Sequence, residues 1–557
     1  MDMMWHVSFR KCPTTNNILS LTMKKAIIIP LITTLLGALF SQAYRQQQMP
    51  AAQKLGMAEA AIEQFYVDTV NGDRLVETAL RSMLEELDPH SAYSTTEETR
   101  ELNEPLEGNF SGIGITFNMN KDTLYVIQTV AGGPSERVGL LAGDRIVAVN
   151  DTLIAGVKMK NSQIMKRLRG PKGTDVRVKV VRHQNASTDT INFKITRAEI
   201  PIYSVDAAYM VDDKTGYIRL NRFSADTRSE VDKALKDLKK QGMTQLIFDL
   251  TENGGGYLNA AVDVLSELLE PGRLTVYTEG RNSPRYDHIS SPHGIKPLFP
   301  EGRLVVMANQ YSASASEIVS GAIQDWDRGL VVGRRTFGKG LVQRPFPFPD
   351  GSMMRLTVAH YYTPSGRDIQ KPYKKGDQKA YAKDLIDRYN NGELMHADSI
   401  HQVDSLKVTT LRLGRTMYGG GGITPDVFVP LDTTDFTKYY RDVVAKGVIN
   451  QYAIKYVDKH RKELRRQYKK DDDFVAHFEV TPAMLQEIFD LAKAEGVEYN
   501  EEQARTSTPL FKMIVKGLIG RDVYEQATYN KVYNGYDPIF REAYRLINSD
   551  DYELKLR

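Results

Sequence analysis

Apolar residues Val76, Leu80, Met83, Leu84 and Leu87 recur at helical spacing until Asp88-Pro89 breaks the pattern, so the stretch from about Ala58 to Leu87 reads as a helical segment. Between Gly108 and Arg197 the period changes. Short β-branched runs at Ile113–Phe117, Leu124–Val130, Arg145–Val149 and Val176–Val181 are separated by Gly, Pro, Asn and Asp turns, which predicts a small β-rich domain. From Thr215 to Pro364, strand candidates Leu246–Leu250, Leu304–Ala308 and Leu330–Gly333 alternate with helical patterns, the mark of an α/β domain. One of those helices follows Ser316 and carries Ile318, Val319, Ala322, Ile323 and Trp326 on one face. A more polar stretch runs to Met417, and the glycines at 419–422 before Ile423-Thr424-Pro425-Asp426 predict a turn returning the chain to the core. From about Asp432 to Arg557 the pattern is helical, for example over Pro482–Ala494, and no chemistry is visible there.

The 557 residues suffice for roughly three or four domains, each able to bury its own core. Lys and Arg total 73 against 70 Asp and Glu, a balance of +3, which is not the charge footprint of a nucleic-acid binder. With 41% hydrophobic and 26% charged residues the chain is neither disordered nor fibrous. A single cysteine, Cys12, rules out an intramolecular disulfide and a cysteine zinc cluster. Export is argued instead from Met23-Lys24-Lys25, the apolar run Ala26–Phe40 and the small-x-small pattern Ser41-Gln42-Ala43, which together read as a secretory signal starting at Met23. The run is shorter than the ~20 residues that cross a bilayer, so a cleaved signal is preferred to a retained inner-membrane anchor. The expected location is the periplasm or cell envelope.

Three features of the α/β segment can carry chemistry. In Asp249-Leu250-Thr251-Glu252-Asn253-Gly254-Gly255-Gly256 a buried strand runs into glycines whose amides can converge on an anion; the alternative is a tight turn. In Ser312-Ala313-Ser314-Ala315-Ser316-Glu317 a nucleophilic hydroxyl can sit at a helix N-terminus, where serine also serves as an ordinary cap. The stretch Gly333–Gly340 nearly fits a phosphate-binding loop, but Gly340 stands where the magnesium-binding hydroxyl belongs and the following residues read as extended. Lys339 has another use, as a base. An ordinary lysine titrates near ~10.4, and a buried one loses its ammonium form more readily. A neutral amine can then take the serine proton and later deliver it to the leaving amine, with Gln343 placed to orient it. His90 and His360 show no metal-ligand spacing, and neither a metal nor a cofactor is expected.

In order and spacing, Leu87-Asp88-Pro89-His90-Ser91, Gly108 to Gly114, Asp249 to Gly256, Ser312 to Ile318, Phe337 to Gln343, Tyr362 to Arg367 and Gly421 to Asp426 resemble the C-terminal processing peptidases, or tail-specific proteases, over about residues 55–430. The resemblance implies a Clp-protease/crotonase-like α/β core over residues 199–431 with an upstream PDZ domain over 108–198; with the helical regions read at 44–107 and 432–557 and the leader at 1–43, this makes a multidomain α/β protein. It implies a Ser-Lys dyad of Ser314 and Lys339, positioned by Gln343, with Asp325 an accessory near the site. The oxyanion donors would be Ala315 with Gly255 or Gly256. Gly112-Ile113-Gly114 would bind a peptide carboxylate, with Ile113, Ile115 and Phe117 facing nonpolar C-terminal tails of protein or peptide substrates. One departure stands out, since Thr251 and Glu252 occupy the place where the family commonly has Arg. Pairing of the terminal helical regions into a homodimer is compatible with this plan. The competing readings are a non-catalytic PDZ scaffold on a protease fold and nucleotide binding at Gly333 to Gly340.

Overall fold

The computed structural model describes residues 49–557 apart from 121, 185, 186, 293 and 295. The leader, Met23, Cys12 and the signal at 23–43 lie outside the described residues. The chain divides into two compact units at Ala79/Leu80. In the first, the expected continuous helical stretch is two helices, Ala51–Phe65 and Gly72–Glu85, the second of which runs across the boundary. The β-branched residues Val67, Thr69 and Val70 interrupt the pattern, and Asn71 accepts the Arg74 amide at 2.9 Å to start the second helix.

The second unit is organised around a six-stranded sheet, in the order Val205–Met210, Thr215–Leu220, Gln245–Asp249, Leu304–Ala308, Leu330–Gly333 and Val427–Phe428. The first pair is antiparallel and the remaining pairs are parallel. Gln-Leu-Ile-Phe-Asp and Leu-Val-Val-Met-Ala are buried at every position, as expected of central strands covered on both faces. Helices Thr227–Lys240, Leu258–Leu268 and Ala315–Asp325 cover one face. The other face is covered by helices Pro538–Ile547 and Asp551–Leu556, whose Ile539, Ala543, Leu546 and Ile547 pack on Ile247, Val305 and Val332. The helical residues after 432 therefore serve two cores, since Phe474, Ile488, Phe511 and Ile519 close a separate one.

A second sheet flanks the first, with Met353–Tyr362 paired to Ala92–Ser94, Leu274–Gly280 and Leu341–Pro347. The β-rich segment forms its own sheet in the order Ile115–Asn120, Thr123–Thr129, Arg145–Val149, Asp175–Gln184 and Ser187–Thr196, around Leu124, Ile146, Ile164 and Val178. Its first strand pairs on one side only among the described residues, so it presents an open edge.

Candidate active site

Strands Gln245–Asp249 and Leu304–Ala308 are parallel neighbours, so the glycine turn after one and the serine segment after the other leave the sheet side by side. Two of the three serines stitch these segments together. Ser312 Oγ donates to Leu250 O and Ser316 Oγ to Asn253 O, each at 2.8 Å. Ser314 is different. It adopts φ +56 and ψ −113, a region that L-residues rarely occupy, and its side chain makes no capping bond to the helix Ala315–Asp325 that it precedes. The side chain of Ser314 thus does not take the capping role considered for it and meets the Tyr361 hydroxyl instead.

The glycines do more than turn the chain. Gly255 has φ +101, and a Cβ there would lie 2.8 Å from Ser314 Cβ and 3.0 Å from Ala315 N. A Cβ on Gly256 would meet Phe223 O at 2.1 Å. The amide of Gly255 is already donated to Asn253 Oδ1 at 2.9 Å. Those of Gly256 and Ala315 carry no bond among the described residues. Beside this turn Arg219 donates to Asp249 Oδ2 at 2.8 Å and to Thr251 Oγ1 at 3.2 Å.

Lys339 lies in the loop between strands Leu330–Gly333 and Leu341–Pro347. No helix follows this loop, and the amides of Gly338 and Lys339 are taken by Glu317 at 2.7 and 2.8 Å, so the phosphate-loop reading of Gly333 to Gly340 falls. The same Glu317 carboxylate accepts the Ser314 amide at 2.8 Å, which brings the lysine loop against the serine turn. Tyr361 joins them a second time, with its hydroxyl against the Ser314 side chain and donating to Lys339 O. Burial, helped by the charge of Arg355, holds the Lys339 amine below its ordinary value, against the opposing pull of Glu317 and Asp88. His90 is pulled down to about 4, first by burial and then by the Lys339 charge.

Asp88 anchors the turn that brings His90 here, accepting the amides of His90 and Ser91 at 2.8 and 2.9 Å and the Thr357 hydroxyl at 2.9 Å. Gln343 belongs to this flank. Its Nε2 donates to Thr357 Oγ1 at 3.2 Å and Leu341 O at 3.1 Å, and it makes no bond to Lys339.

Asp325 is not brought to the site. It ends the helix that Ser314 begins, 11 residues and therefore roughly 16 Å away. Buried completely, it pairs with the equally buried Arg367 and accepts the Ser365 amide at 2.8 Å, fixing the loop after Tyr362. Asp325→Ala strands the guanidinium, and we expect a stability loss of about 3–5 kcal/mol in denaturant unfolding, with the folded fraction still reactive at its serine.

In the PDZ segment, Gly112-Ile113-Gly114 enters the open edge strand. Gly114 has φ +70, and a Cβ on it would crowd Ile200 Cδ1 at 2.9 Å. Ile113, expected to face a peptide, is 3% exposed and packs in the domain core; its carbonyl accepts the Ser135 amide and hydroxyl at 3.1 and 2.6 Å. Ile115 and Phe117 stay partly exposed beside that core.

Glu317, Tyr361, Arg219 and Asn253 went unassigned in the sequence. For Glu317 a signal existed, since Ser314 and Glu317 have the S-x-x-E spacing in which a glutamate reaches back to the amide before its helix. Tyr361 and Arg219 come from distant strands and had none.

A strained serine whose turn is tied through Glu317 to the loop of a lysine with a disfavoured ammonium, on an α/β core preceded by a separate β domain, has the make-up of a serine-type peptidase. Residues 214–379 match the model of Peptidase family S41, residues 111–195 that of the PDZ domain, and residues 439–525 that of a family of unknown function, DUF8443. A carboxy-terminal-processing protease of Bartonella bacilliformis is 34% identical over 309 residues, covering 55% of this chain and 69% of that one. A carboxyl-terminal-processing protease of Picosynechococcus sp. is 39% identical over 295 residues, 51% of this chain and 67% of that one. The carboxy-terminal processing protease CtpB of Bacillus subtilis is 32% identical over 348 residues, 62% and 70% of the two chains. The chain belongs to the carboxy-terminal-processing proteases of peptidase family S41.

Proposed function

We propose that the protein is an exported serine endopeptidase that selects substrates by their C-termini and cleaves them through an acyl-enzyme on Ser314, with Lys339 as general base and then general acid. A peptide with a nonpolar tail would add as a strand along Ile115–Asn120, its carboxylate at the Gly112-Ile113-Gly114 turn, and Ile115 and Phe117 would meet its last side chains. Lys339, uncharged, accepts the Ser314 proton as Oγ attacks the scissile carbonyl, and returns it to the departing amine. The amides of Ala315 and Gly256 would stabilise the oxyanion. Gln343, seated on Thr357 beside Asp88, would shape the flank from which Lys339 is approached. Export to the periplasm or cell envelope is supported by Met23-Lys24-Lys25, the apolar run Ala26–Phe40 and the small-x-small pattern Ser41-Gln42-Ala43, which together read as a secretory signal.

The observation that carries this reading is the backbone of Ser314: a left-handed serine with no capping bond, tied through one carboxylate to the loop of a lysine whose ammonium is disfavoured. Treatment with a serine-directed phosphonate tests it. Mass spectrometry should find one adduct per chain, on Ser314; an adduct on another residue contradicts the assignment of the nucleophile, and no adduct at all leaves a PDZ scaffold.

A further inference from the structure

We propose that Glu317 is the positioning residue of this site: its single carboxylate locks the backbone of Ser314 to that of Lys339 and so keeps hydroxyl and amine in register. The inference rests on the Ser314–Lys339 reading. Glu317 is completely buried in the first turn of the helix Ala315–Asp325. Oε2 accepts the Ser314 and Lys339 amides, both at 2.8 Å, while Oε1 accepts the Gly338 amide at 2.7 Å and the Thr336 hydroxyl at 2.5 Å.

All four partners donate. Thr336 Oγ1 already accepts the Ile423 amide at 2.7 Å, so its own proton is directed at Glu317. An ionised carboxylate supplies the four acceptor sites this requires, whereas a carboxamide or a protonated acid would set a donor against a donor. Burial pushes the acid's pKa up, and the four donors oppose it. No lysine or arginine side chain pairs with Glu317 among the described residues. The anion is therefore held by peptide and hydroxyl dipoles, which are fixed in direction and make it a rigid clamp. Its two ends are the nucleophile's turn and the base's loop, which are also joined by Tyr361 and by the Phe337 amide donating to Ser312 O at 3.0 Å.

The test uses the full chain and three proteins: the parent, Glu317→Gln and Glu317→Asp. It reads kcat and KM on a peptide with an apolar C-terminus, and the pH dependence of phosphonate labelling at Ser314. The groups facing the Lys339 amine are Glu317 from the helix, Arg355 from the neighbouring strand, and Asp88 and His90 from the turn at 87–91. Removing the Glu317 charge lets the amine lose its proton at lower pH. Glu317→Gln should lower kcat roughly 10²-fold with KM changed no more than about twofold, and shift the rising limb of labelling to lower pH. Glu317→Asp keeps the charge but is one methylene short, so its limb should stay with the parent while kcat falls. A residue that merely stabilises the fold would lower the yield or Tm and leave kcat and the limb of the folded protein unmoved, which overturns the proposal. If Glu317→Gln does not fold, Glu317→Asp decides: reduced kcat at an unmoved limb supports the clamp, and parental kcat refutes it. Failure of the parent itself to label at Ser314 overturns the underlying dyad reading, a different result from a labelled parent matched by an unaltered Gln variant.

Discussion

Lys339→Ala should slow acylation of Ser314 by about 10⁴-fold while leaving substrate binding nearly intact. The hydroxyl of Ser314 is a weak nucleophile at neutral pH and needs a base at the moment of attack. Only an amine already free of its proton can serve, and the structure disfavours the ammonium by burying it beside Arg355. The environment carries a cost that can be measured separately. Because the folded-state pKa of Lys339 is depressed, the unfolded chain binds a proton that the folded chain does not, over the window between the depressed value and the ordinary lysine range. Stability therefore rises with pH through that window, and below it the folded protein bears the full penalty of the buried amine. Lys339→Met, which keeps the volume and removes the amine, should be inactive yet more stable than the parent at neutral pH. Single-turnover labelling and thermal unfolding of the same preparation check both halves.

Gly255→Ala should be nearly as damaging, by a different route. The added methyl would stand 2.8 Å from both Ser314 Cβ and Ala313 O, contacts that no folded chain tolerates, at a backbone φ of +101 that alanine resists. The serine turn must move away, and with it the Ala315 amide, only 3.0 Å from the new atom. A loss of about 10²- to 10³-fold in kcat is expected, the size seen when an oxyanion donor is removed. Gly254→Ala is the control, because a Cβ there meets nothing within 4 Å. Its activity should stay within about twofold of the parent, measured on the same peptide.

These effects depend on features that the sequence exposed unevenly. The central strands Leu304–Ala308 and Leu330–Gly333 were legible to the residue, since strands covered on both faces read as unbroken apolar runs. Arg145–Val149 and Pro482–Ala494 were equally plain. The helix pair before Leu87 was not, because the break at residues 66–71 is made by β-branched residues and an Asn cap rather than by glycine or proline. The destination of Pro538–Ile547 was also hidden: its amphipathic pattern announces a helix but not that its partner is a strand more than 200 residues earlier. At the site, residue types and order revealed Ser314, Lys339 and the glycines, since each is chemically distinctive. What holds them together was less visible. Asp325 and Gln343 bear polar groups suited to a catalytic role, yet three-dimensional packing gives one to Arg367 and the other to Thr357. Ile113 illustrates the same limit, because it lies in the turn before the edge strand Ile115–Asn120, where the alternation of the strand does not extend, and the turn sends it into the domain's own core.

The amine of Lys339 can be observed directly. In protein labelled with ¹³C at lysine Cε, the resonance lost in Lys339→Arg identifies this side chain, and its titration reports the proton on Nζ. The account predicts a midpoint below that of every solvent-exposed lysine in the chain, with phosphonate labelling of Ser314 rising along the same curve. A Lys339 signal that titrates with the exposed lysines, or labelling that rises independently of it, would contradict the assignment of Lys339 as the base.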